Sequence, residues 1–275
     1  MEGAELRPPG AARALLAAAV VALVVTGVPL FVAPNWASEH FAWKVSPFVA
    51  MTAGGWCLGA AAFTAYAVIV RRWSAIRPCI AFPFAFGSTE LAVAAYEGDA
   101  LRTGEVLTWP YLAALVLSVA GGVAALAEGR RHLGPDRAAG GLEVTGTIRA
   151  LEVGFVALVW SLAAVAFVAP ERATNGSIFP EPLSLFSLRA FGVFYLSLGI
   201  AVVVMVADRR AEAFLAMMAC GLVLVAPILL AAAVYGGTFD IAEHPLQAAY
   251  PTAYVAAVVG AAGSLGWARS TAQTR

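Results

Sequence analysis

Eight runs of about twenty apolar residues, separated by short polar stretches, constrain this chain more than any motif in it. They fall at 13–33, 47–70, 78–96, 109–127, 149–169, 183–207, 211–236 and 247–267. About twenty apolar residues in a helix cross the hydrocarbon core of a bilayer, and a helix satisfies its own backbone polar groups there. The expected fold is therefore an all-α integral membrane protein with eight transmembrane helices. Composition points the same way: 61% of residues are hydrophobic and 12% charged, where a soluble domain carries about 25% charged residues. The formal net charge is +0, which removes the electrostatic case for a nucleic-acid partner. The lipid bilayer is the partner that the composition requires.

Orientation follows from the Lys and Arg residues in alternate loops. Arg7, Arg13, Arg71, Arg72, Arg77, Arg130, Arg131, Arg137, Arg149, Arg209, Arg210, Arg269 and Arg275 belong to one side. Lys44, Arg102 and Arg172 belong to the other, which instead collects acids such as Glu39, Glu97, Glu105, Glu181 and Asp240. This bias places both termini in the cytoplasm. The near-exclusive use of Arg over Lys, with much Ala, Gly and Val, reads as the coding bias of a GC-rich bacterial genome. The expected location is thus a bacterial cytoplasmic (inner) membrane. The first apolar run is too long for a signal-peptide core and is read as a helix of the mature chain.

The chain repeats its own punctuation. Ala33-Pro34 and Ala169-Pro170, Arg71-Arg72 and Arg209-Arg210, Tyr96 and Tyr235, and Pro110 and Pro251 recur at nearly constant spacing. This divides the protein into a tail (1–12), a first four-helix half (13–127), a cytoplasmic linker (128–148), a second half (149–267) and a tail (268–275). Four helices return the chain to its starting side, so the two similar halves are related by an axis along the membrane normal rather than by inversion.

The segment Phe41-Ala42-Trp43-Lys44-Val45-Ser46-Pro47, with Gly55 beyond it, resembles an FAW-x-[IV]-x-P…G pattern of uncharacterised actinobacterial polytopic membrane proteins. The resemblance covers about a tenth of the chain and implies membrane class and origin, with no activity attached. Lys44 and Trp56 depart from the small or polar residues expected at their positions.

Chemistry concentrates in the third run. Pro83, Gly87, Glu90, Ala94 and Glu97 share one helical face. An unpaired acid at mid-membrane costs about 2.5–3.5 kcal/mol on insertion scales, so this face is expected to look into protein or a cavity. Arg189, inside the sixth run, is the expected ion partner of Glu90, and the two make a candidate intramembrane polar site between the halves. Pro83 and Pro227 lie in the third and seventh runs, which correspond in the repeat, and are candidate helix-kink positions. Gly55 and Gly59, and Gly260, Gly263 and Gly266, are small-residue stripes suited to close helix packing. No HExxH, cysteine cluster, Walker motif or GxGxxG loop occurs, so no metal and no cofactor is expected. Cys57, Cys79 and Cys220 read as small packing residues.

The first functional expectation is a non-catalytic membrane protein, a scaffold or partner of a complex formed with another membrane protein or with itself. The alternative is a small secondary transporter or channel that passes a small molecule or ion by Glu90 and Arg189. Enzymatic activity is the weakest expectation, since no second acid, base or nucleophile is placed beside Glu90. Topology can be checked first: reporter fusions within the linker and at the C-terminus are expected to read out on the cytoplasmic side. An external readout from either would contradict eight spans with the arginines inside.

Overall fold

The computed structural model describes residues 10–70, 72–131, 146–170, 176, 178–208 and 210–273. Among these residues nine α-helices run in chain order: α1 (Gly10–Val32), the short α2 (Pro34–Glu39), α3 (Pro47–Ile69), α4 (Trp73–Tyr96), α5 (Thr108–Arg131), α6 (Gly146–Val168), α7 (Leu185–Asp208), α8 (Ala211–Val234) and α9 (Ala249–Gln273). All except α2 are long and apolar enough to cross a membrane, and no strand occurs among the described residues. The protein is an all-α polytopic membrane protein.

Several helices outrun the apolar runs that announce them, because polar residues end a span without ending a helix. The helix α4 starts at Trp73, five residues before the apolar run at 78, and so carries Arg77 and Pro78 inside it. Arg77 is held by Asp208 of α7 at 3.4 Å, so the extra turn does not leave a cation in lipid. Likewise α5 continues to Arg131, into the expected linker, and α9 to Gln273, through most of the expected tail. Residues 1–9 and 132–145 lie outside the described residues, as do Arg71, Arg172, Arg209 and Arg275.

Four helices form the centre. The helix α3 packs on α1 along one side and on α8 along the other; α4 packs on α7, α5 and α8; and α6 packs on α7. The α3 contacts depend on glycine. A Cβ on Gly54 would stand 2.6 Å from the Phe31 amide nitrogen and 2.9 Å from the Gly27 carbonyl oxygen of α1. A Cβ on Gly59 would stand 2.7 Å from Cα of Leu224, and one on Gly55 3.3 Å from Cβ of Pro227, both on α8. The expected GxxxG of α3 is therefore a helix-packing seam inside this chain, and Pro227 sits against it. Gly192 and Gly199 of α7 serve α6 in the same way, meeting Ala166 and Trp160.

Between these helices lies an aromatic slab. Trp56 of α3 stacks on Phe194 of α7 with ring centroids 4.7 Å apart, and meets Phe191 edge-on at 4.6 Å. Phe82 and Phe86 of α4 close on Phe194 from the other side, at 6.1 and 6.4 Å. Arg72 pairs with Glu212 beside the Arg77–Asp208 pair, tying α4 to α8 and α7 at the arginine-rich end.

The outermost helix behaves differently. Packing of α9 is chiefly on α8, whereas α5 is held by both α1 and α4. Gly260, Gly263 and Gly266 have nothing within 4 Å of an added Cβ, so this second glycine stripe packs on nothing described in the chain.

Gly59→Val drives a side chain into the α8 backbone and is expected to lower stability by about 1–3 kcal/mol. Gly154→Val, in open space on α6, is the control and should leave stability nearly unchanged. Thermal unfolding in an uncharged detergent reads both; equal midpoints would contradict the α3–α8 seam.

Candidate functional site

The buried acid of α4 is held by α5. Glu90 is fully buried, and its Oε1 accepts a hydrogen bond from the Tyr111 hydroxyl at 2.8 Å. Gly87 makes this approach possible, since a Cβ there would stand 2.8 Å from the Leu115 carbonyl oxygen of α5. Glu90 Oε2 has no hydrogen-bond partner among the described residues. The expectation that this face looks into protein is met, and Pro83 and Ala94 are buried with it.

Arg189 does not pair with Glu90. It pairs with Glu97, which caps the end of α4, and its guanidinium carbon lies 4.7 Å from the centroid of the Tyr96 ring. The reason is register. Thr89 Oγ1 of α4 lies 3.2 Å from Ser197 Oγ of α7, and eight residues along each antiparallel helix bring Glu97 to Arg189. Glu90 is level with Leu196, about 10 Å deeper than Arg189 at 1.5 Å per residue. Depth counted from the ends of apolar runs missed this, because α7 begins at Leu185 and Arg189 is one turn inside it.

The two layers are joined by an aromatic relay that sequence reasoning did not single out. Tyr111 meets the rings of Phe41 and Trp43 edge-on, at 5.2 and 5.5 Å. Trp43 stacks on Phe186 of α7 at 4.3 Å and donates its Nε1–H to Ser187 Oγ at 3.1 Å. Ser184 accepts from the Ser187 amide and donates to the Ser187 hydroxyl. A signal for Tyr111 exists in principle: a tyrosine one turn inside an apolar helix needs a partner for its hydroxyl, and a lone buried acid is the natural one.

Above the Trp43–Phe186 pair opens a vestibule of about 680 Å³. Its walls come from the loop after α2, the end of α4 and the start of α7, including Glu39, Lys44, Glu97 and Arg102. The first wall is pinned, since the Arg102 amide donates to the Ala42 carbonyl at 2.7 Å and the Leu107 amide to the His40 carbonyl at 3.2 Å. Arg102 is paired with Glu105, and Glu97 with Arg189. Near the same end, Ser46 caps α3 through the Val49 amide and also donates to Glu181. Burial pushes the Glu181 carboxyl above its ordinary range, and the Ser46 bond offsets part of that rise.

The vestibule stops at its floor: Trp43 is 1% and Phe186 3% exposed. A second acid missed in the sequence is Glu152 on α6, buried on the face turned to α7, with Oε1 unpartnered among the described residues. Pro227 lies in the α3–α8 seam, against Gly55. Compared with family models, curated proteins and solved structures, the chain matches none.

Double-mutant cycles test the two layers. Arg189→Ala and Glu97→Gln are expected to be non-additive in thermal stability by roughly 0.5–3 kcal/mol, and Arg189→Ala with Glu90→Gln to add within about 0.5 kcal/mol. Tyr111→Phe alone should cost about 1–3 kcal/mol by stranding a buried acceptor. Strong coupling between Arg189 and Glu90 would overturn this register.

Proposed function

We propose that the protein is a non-catalytic component of the membrane that binds another transmembrane helix through the outward face of α9. The observation that carries this reading is a series of small residues exposed on a span that the rest of the chain covers little. In the other low-hydropathy spans the protein hides what lipid would not favour: α3 has mean hydropathy 1.4 with 83% of its span buried, and α4 1.3 with 61%. The α9 span has mean hydropathy 1.2, the lowest of the eight, and only 17% of it is buried. Its exposed residues include the small Thr252, Ala256, Gly260 and Gly263, with Val255 and Val259 beside them, and the small residues let a second helix approach closely. The α3–α8 seam is the same chemistry already satisfied within the chain. Transport by Glu90 is the weaker reading, because the vestibule ends on a closed aromatic floor and Glu90 is sealed beneath it.

The helix contacts also support reading the chain as two copies of a four-helix unit. Under that reading α3 corresponds to α7 and α4 to α8, so the α3–α8 and α4–α7 contacts exchange and α4–α8 is the contact across the axis. Ser46 and Ser184 precede corresponding helices, and 3₁₀ turns, Gly98–Ala100 and Gly236–Thr238, follow α4 and α8. The second copy lacks an equivalent of the α1–α5 packing among the described residues, which leaves α9 available. With the Arg bias, this reading keeps both termini and the arginine-rich end cytoplasmic in a bacterial inner membrane.

The three native cysteines are buried, so Gly263→Cys adds one accessible thiol on α9. Oxidation in native membranes is expected to give a disulfide dimer, or a bismaleimide adduct of discrete higher mass, that Gly154→Cys does not give. Only monomer from both variants would overturn the association reading.

A further inference from the structure

We infer that the vestibule is a binding site for a zwitterion carrying an apolar group. Four charged side chains line it, and two are neutralised by the protein itself: Arg102 by Glu105 and Glu97 by Arg189. The other two, Lys44 and Glu39, have opposite sign and no ion-pair partner within 4.0 Å among the described residues, including each other. One cavity thus offers a free ammonium and a free carboxylate held apart. Both are exposed to water; a ligand with a single charge engages only one of them, whereas a zwitterion engages both.

The remaining lining decides what else the ligand carries. The floor is the stacked Trp43–Phe186 pair, flanked by Val45 and Leu185, and Ser38 and Ser184 supply hydroxyls at the walls. An apolar floor with a few placed polar groups is the usual make-up of a small-molecule pocket, and 680 Å³ falls within the ~300–1,000 Å³ typical of them. Lys44 is the only lysine of the chain, and it presents a compact, flexible charge suited to a carboxylate or phosphate. The cationic end would lie against Glu39, on the open side of the aromatic floor. The floor is fixed from below by the Trp43 bond to Ser187 and from the side by the bonds of the 40–44 loop to residues 102 and 107. The floor is thus set before binding, and the ordering that opposes it is that of the Lys44 and Glu39 side chains.

Two sources present this chemistry: a free amino acid with an apolar side chain, and the headgroup region of a zwitterionic phospholipid. The site does not depend on association through α9, and its test uses neither that helix nor its partner.

Calorimetric titration of the purified full chain in an uncharged maltoside detergent distinguishes the sources. The probes are L-phenylalanine, phenethylamine and 3-phenylpropionate for the first, and glycerophosphocholine and dihexanoylphosphatidylcholine for the second. The expected result is that one of the zwitterions binds at least tenfold more tightly than either singly charged phenyl probe. Lys44→Ala should weaken that zwitterion about tenfold and leave phenethylamine unchanged, and Glu39→Gln should weaken it about tenfold and leave 3-phenylpropionate unchanged. Preference for L-phenylalanine identifies a free-solute site, and preference for dihexanoylphosphatidylcholine a lipid site. Thermal midpoints equal to wild type establish that the two variants fold. Absence of saturable binding for every probe, equal affinity for zwitterionic and singly charged probes, or zwitterion binding unaffected in the Lys44→Ala, Glu39→Gln double variant would each overturn the proposal.

Discussion

Close approach of helix backbones at α3 is the constraint on which the rest of the molecule depends. Lipid chains are as apolar as leucine, so helices in a bilayer gain nothing from hiding apolar surface and must be held by packing and polar contacts. Gly54 seats α3 against Gly27 and Phe31 of α1, and Gly55 and Gly59 seat its other side on Pro227 and Leu224 of α8. With α3 fixed on both flanks, the residues that precede it are fixed too. Ser46 caps its first turn, Pro47 occupies a position that needs no amide hydrogen bond, and Trp43 is delivered to Phe186. The pattern from Phe41 to Pro47, together with Gly55, is then one device: a glycine-seated helix whose approach segment plants an indole against α7.

The electrostatics divide along the same lines. At the arginine-rich end, Arg72 is 72% exposed in its pair with Glu212, and such a surface pair contributes little to stability. Asp208, at 6% exposed, is the exception, with Arg77 against it. At the acidic end, Arg189 and Glu97 are each about four-fifths covered, and the Tyr96 ring shields the guanidinium further. Removing either partner strands a charge that the surrounding apolar surface cannot solvate. Glu90 is treated differently again, with a neutral hydroxyl donor in place of a cation.

Much of this was legible in the sequence, and what was not has a common physical cause. Hydropathy located eight spans because lipid exposure is a property of each helix alone. The burial of Glu90 was legible for the same reason, since a charge facing lipid is costly whatever the neighbours are. Pairing was not legible, because it depends on register between helices: a depth difference of about two turns separates Glu90 from Arg189, and nothing in the apolar runs measures it. Tyr111 reads in the sequence as an ordinary aromatic of an apolar chain, and Trp43 stands out only as part of a pattern, with nothing to indicate the ring it stacks on. Glu152 escaped as the apparent end of a span, and the α9 glycines looked like those of α3 until their neighbours could be compared.

The Tyr111–Glu90 bond bears on how such a chain enters a membrane during synthesis. Only 21 residues separate donor from acceptor, which a ribosome adds in about 1–4 s at roughly 5–20 residues per second. The acid of α4 therefore meets its partner as soon as the next span emerges, and α4 with α5 can leave the translocation channel as a hairpin whose least lipid-tolerant group is already covered. Arg77 must wait for Asp208, 131 residues later, but it stands in the first turns of α4, from which a long side chain reaches the interface, and waiting there costs little. The order of the polar contacts along the chain thus matches the order in which the growing protein needs them.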